Sequence, residues 1–147
     1  IEQDATVDPI EVTYVGECES VSGRSILCYA IGRHVNDGTL HLRITDNSGK
    51  GAFSANWASA SDIQSIVIGA TELTAKSFHP LHEGKSINTG GFVLAGIKDL
   101  GLIRANEENT RIHEHVPTTT FQQVVMSRIA EANEQEAKQG RRKGRAT

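Results

Sequence analysis

Between Ile10 and Trp57 the chain repeats with a period of two, which constrains it to antiparallel strands more tightly than any other feature does. Ile10, Val12, Tyr14 and Cys18 alternate with Glu11, Thr13, Glu17 and Glu19. Successive side chains of a strand point to opposite faces, so this pattern predicts a strand with one buried face. Ser25 to Ile31 reads as its hairpin partner across Ser20-Val21-Ser22-Gly23-Arg24. Asn36-Asp37-Gly38 then marks a turn, because Asp and Gly accept positive φ. Leu40, Leu42 and Ile44 alternate with His41 and Arg43 in a third strand, and Asp46-Asn47-Ser48-Gly49 turns the chain again. A fourth strand is expected with Phe53 and Trp57 on one face and Ser54 and Asn56 on the other.

The period changes after Trp57. Ser59 followed by Asp62 resembles a capping box, and Ile63, Ile66 and Val67 fall at helical spacing, which predicts a short helix over about 60–67 ended by Gly69. Residues 70–78 read as a further strand with Leu73 and Phe78 inward, and 79–89 as a loop. Asn88 or Thr89 caps a helix through Phe92, Val93, Leu94, Ile97 and Leu100, with Gly101 as its stop. A hairpin follows, 102–104 against 111–113. After Pro117, Thr119 with Gln122 offers a second capping box, and Phe121, Val125, Ile129 and Ala132 form one apolar stripe. The stripe ends there, so the last helix is expected to leave the body.

The fold expected is α+β: an antiparallel β meander of four or more strands, two short helices, and a long C-terminal helix ending in a basic tail. The division is a globular part over 1–117 and a helix with its tail over 118–147. At 147 residues one domain can bury roughly two thirds of its unfolded surface without metal or disulfide help. Hydrophobic residues at 37% and charged residues at 22% exclude a disordered chain, a collagen and a cysteine scaffold. No apolar run approaches the ~20 residues of a membrane helix. The opening IEQDATVDPI is too polar for a signal peptide; a cytoplasmic chain without membrane contact is expected, with secretion left open by a leader removed before Ile1.

Cys18 and Cys28 sit opposite each other if the first hairpin centres on Gly23, which is close to disulfide reach. Without a CxxC pattern they suggest neither zinc nor redox catalysis, and two buried thiols are expected. Gly84-Lys85-Ser86 lacks the earlier glycine of a phosphate-binding loop. No Ser-x-x-Lys or Gly-x-Ser-x-Gly nucleophile motif occurs. No motif names a family, and neither a catalytic residue nor a cofactor is expected.

Charge carries the functional reading. The net charge is −3, yet Lys138, Arg141, Arg142, Lys143 and Arg145 give the last ten residues +5. The remaining ten basic and eighteen acidic groups leave the body at −8. An acidic body with a basic tail suits tethering to nucleic acid, another polyanion or an acidic protein surface. The expected function is a non-enzymatic interaction or accessory module. Its tail would contact nucleic acid, and the Phe121, Val125 and Ile129 face would pack on a protein partner or a second copy. An alternative is a small metal-dependent hydrolase or ligand-binding domain built on His79, His82, His113 and His115, with Glu83 or Glu114 as general base. A third is a structural subunit of a larger assembly. The glycine-rich turns place Lys50, Lys85, Ser86 and Thr89 as further polar groups for a ligand.

Overall fold

The alternating segment builds a four-stranded antiparallel sheet in the order β1-β2-β3-β4, in a computed structural model that describes residues 9–49, 51–82 and 88–146. The side chains of residue 82 and of residues 138–146 lie outside the description. The strands are β1 (Ile10–Glu19), β2 (Ile26–His34), β3 (Leu40–Asn47) and β4 (Ala58–Ser59). Tyr29, Ile31, Leu42 and Ile44 supply the buried face of the sheet. With helices packed on that face, the chain is an α+β domain.

The first hairpin is offset by one residue from the expected centre. Glu17 pairs with Cys28 and Cys18 with Leu27, because the turn closes from Ser20 N–H to the Ser25 carbonyl at 2.9 Å. A slip of one residue turns a side chain to the other face of a sheet. Cys18 therefore lies on the helix side and Cys28 on the opposite side, both half-buried and unbonded.

The fourth strand is much shorter than expected. Residues 51–57 have no regular structure, and Phe53 and Trp57 share no strand. The start of the helix at 88 captures this segment instead. Thr89 Oγ1 accepts from Ser54 N–H at 2.8 Å, and Asn88 Nδ2 donates to the Ala52 carbonyl at 3.1 Å. Phe53 packs near Phe92, while Trp57 lies under the Arg43 guanidinium, 4.4 Å from its ring centroid.

Helix α1 (Ala60–Val67) starts as its sequence requires, with Ser59 Oγ accepting from Asp62 N–H at 3.1 Å. Its apolar face, Ile63 and Val67, is fully buried. Residues 70–78 form no strand. Leu73 and His113 exchange two backbone hydrogen bonds, at 2.7 and 2.8 Å, and a 3₁₀ helix (Ala75–His82) follows. Leu73 and Phe78 point inward as expected.

Helix α2 (Asn88–Leu100) runs under the sheet with Val93, Leu94, Ile97 and Leu100 buried, and Gly101 stops it at φ 93°. A second sheet pairs β5 (Ile103–Ala105) with β6 (His113–His115), one to two residues beyond the expected hairpin. Helix α3 (Phe121–Ala146) closes the fold. Its capping box is set one residue later than expected: Thr120 N–H bonds Gln123 Oε1 at 3.0 Å, and Gln123 N–H returns to Thr120 Oγ1 at 3.2 Å. Among the described residues no helix is long and apolar enough to cross a membrane.

Candidate functional site

The foot of α3 is spent on the chain's own core. Phe121 is 1% exposed and Val125 fully buried, with Ile129 packed against the same cluster. The stripe expected to meet a partner thus covers the body itself, because an amphipathic helix beside an open core buries its apolar face there first. Gln64 Oε1 of α1 accepts from Phe121 N–H at 2.7 Å, and Arg128 donates to the Asp99 carbonyl of α2. Beyond this foot, residues 130–137 are exposed. Lys138, Arg141, Arg142, Lys143 and Arg145 belong to the same helix, and their side chains lie outside the described residues.

The histidines are dispersed. His113 is 1% exposed in the core. His115, two residues on, bonds Gly69 N–H through Nδ1 at 3.2 Å and the Thr119 carbonyl through Nε2 at 2.7 Å. Glu114 is bound instead by Arg104 at 2.9 Å and by Asn106 at 2.9 Å, and these partners hold its carboxyl below the usual range. His79 borders a cleft at the start of α2, while the His82 side chain and Glu83 lie outside the described residues. Among the described residues no three of His, Cys, Asp and Glu come close enough to hold a metal ion. Lys50, Lys85 and Ser86 are also outside the description, and Thr89 is fully buried on Ser54.

Helix α2 and the tip of the β1–β2 hairpin line a concave surface. A cleft of about 520 Å³ opens between Ser20–Gly23 and Ala95, Lys98 and Asp99, with Cys18 beside it. A second, of about 380 Å³, continues along the helix past Phe92, Gly91 and Asn88 to His79 and Lys76. These helix positions recur every three or four residues, so one face of α2 walls both clefts. The Cys18 thiol is pushed up to about 11 by burial and by the nearby Asp99 carboxylate. It stays protonated at neutral pH, which removes it as a nucleophile.

Asp99 also accepts from the Tyr29 hydroxyl at 2.6 Å. Burial, reinforced by this bond, holds the Tyr29 phenol far above its ordinary range. The Tyr29–Asp99–Arg128 junction was not visible in the sequence, since its members lie on three elements and match no motif. Its chemistry is structural, a neutral phenol bonded to a carboxylate at the edge of the core.

No protein-family model matches the chain, and comparison with curated proteins and with solved structures gave no match either.

Proposed function

We propose that the chain is a non-enzymatic interaction module that reaches nucleic acid, or another polyanion, through the basic end of α3. The observation that carries this reading is the split in α3 between an anchored foot and an exposed continuation. Phe121 and Val125 lock the first turns into the core, whereas residues 130–137 touch solvent throughout. At about 1.5 Å per residue, the helix from Ala130 to Ala146 spans about 24 Å. Positions 138, 141, 142 and 145 on it are basic and fall at the spacing of one helical face. These charges belong to the continuation of α3 beyond its core anchor, in a chain whose other residues are net acidic.

Contacts of this kind neutralise phosphates and release counterions, so they place a protein on nucleic acid without reading its sequence. Replacing Arg141, Arg142, Lys143 and Arg145 together by Ala tests the reading. The slope of log affinity against log salt is expected to flatten by up to about 3.6, from about 0.9 per phosphate contact. An unchanged slope contradicts it.

A ligand-binding role draws on a separate observation, the paired clefts along α2. Their volumes fall within the range of small-molecule sites. Shifts confined to Lys76, Phe92 and Lys98 in an NMR screen of small polar ligands would support it, and a screen that leaves all three unmoved would remove it.

A further inference from the structure

We propose that His113 acts as an acid-sensitive latch, which seats the β5–β6 hairpin and the foot of α3 on the body only while its ring is neutral. The inference is independent of the basic tail. It rests on where β6 places its two histidines.

His113 is 1% exposed, and neither of its ring nitrogens has a hydrogen-bond partner among the described residues. Its backbone, by contrast, is tied on both sides to Leu73. A neutral imidazole can endure such a site, but a cation cannot, because burying a charge without a partner is far costlier than burying a dipole. The charged groups around it offer no relief. Lys98 of α2 is near enough to repel a second positive charge. On the hairpin, Arg104 and Glu114 satisfy each other at 2.9 Å, and Glu72 of the adjoining segment is exposed. Among the described residues neither His113 nor His115 forms an ion pair. Burial, with Lys98 second, holds the His113 ring below its ordinary 6.5.

His115 ties the same strand to its neighbours by hydrogen bonds. Its Nδ1 accepts from Gly69 N–H, just past α1, and its Nε2 donates to the Thr119 carbonyl, just before the cap of α3. That pair of bonds assigns the neutral tautomer with its proton on Nε2. His115 N–H also bonds the Ala70 carbonyl at 2.9 Å, so ring and backbone fasten the same junction.

The sign of the pH dependence follows. The unfolded chain takes up a proton on residue 113 near 6.5, whereas the folded chain resists it, so stability is complete above that pH and falls below it. The folding constant drops by up to tenfold per pH unit from His113 alone until the folded ring also protonates.

Two measurements on the full chain test the latch. In urea unfolding at pH 6.5 and 5.5, His113→Leu is expected to lose severalfold less of its folding constant than the unsubstituted chain; equal losses would overturn the proposal. Should His113→Leu fail to fold, ¹⁵N NMR of the unsubstituted chain decides. The His113 ring is expected to protonate only below pH 6.5, while amide protection at His113, His115 and Phe121 weakens between pH 7 and 5.5 after correction for intrinsic rates. A His113 ring that protonates at 6.5 or above, or protection that is unchanged, would overturn it.

Discussion

The Tyr29 hydroxyl donates to the Asp99 carboxylate at 2.6 Å, joining the second strand to helix α2 across seventy residues of chain. Gly16 makes room for that contact: a Cβ there would lie 2.2 Å from the Tyr29 ring. Arg128 of α3 donates to the Asp99 backbone carbonyl, so sheet, central helix and C-terminal helix meet at one residue. The arm proposed to carry the function is thereby mounted on the sheet through helix α2.

Tyr29→Phe should cost about 1–3 kcal/mol of unfolding free energy, since it leaves the half-buried Asp99 carboxylate without its donor. Gly16→Ala should cost about 1–3 kcal/mol by overpacking against the same ring. Because Cζ of the ring is itself the nearest atom to the added Cβ, Tyr29→Phe should not rescue Gly16→Ala. Urea unfolding of the two single variants and the double variant checks both statements.

The anchor of α3 separates sharply from its continuation. Phe121→Ala should destabilise the domain by about 3–5 kcal/mol, as truncations of a buried Phe do. Thr120→Ala should cost about 0.5–2 kcal/mol through the lost cap. Truncation after Gln135 should change stability by less than about 0.5 kcal/mol, because the residues of α3 packed on the core, Phe121, Val125 and Ile129, all precede it. Thermal and urea denaturation of the three proteins would show the contrast.

What the sequence revealed was local order, and what it concealed was order made by distant partners. Alternation at Ile10–Tyr14 and Leu40–Ile44 marked real strands, and Ser59 with Asp62 marked a real cap, because each pattern is set within a few residues. Trp57 and Phe53 looked like one strand face, yet Asn88 and Thr89, over thirty residues on, bind the backbone on either side of Phe53, at Ala52 and Ser54, and hold it off the sheet. The apolar stripe Phe121–Ile129 was legible as a stripe, but periodicity cannot say whether a stripe covers its own core or another chain. His113 sat in an undistinguished polar run, with no signal that its ring would be buried.

Cys18 and Cys28 should remain two free thiols in the folded protein under mild oxidation, since they occupy opposite faces of the hairpin. Both should alkylate more slowly than an unhindered cysteine at pH 8. Burial lifts the Cys18 thiol to about 11. The Cys28 thiol is raised too, by desolvation and then by Glu17 and Asp46, so the reactive thiolate is scarce at both. Thiol titration with and without denaturant, and mass analysis after oxidation, check the expectation.

The most direct measurement is the binding of the intact chain, and of the chain truncated after Gln135, to generic DNA and RNA across a salt series. The account predicts that the intact chain binds both without sequence preference, that affinity falls steeply with salt, and that truncation abolishes binding while the body stays folded. Equal binding by both forms, or none by either at low salt, would contradict it.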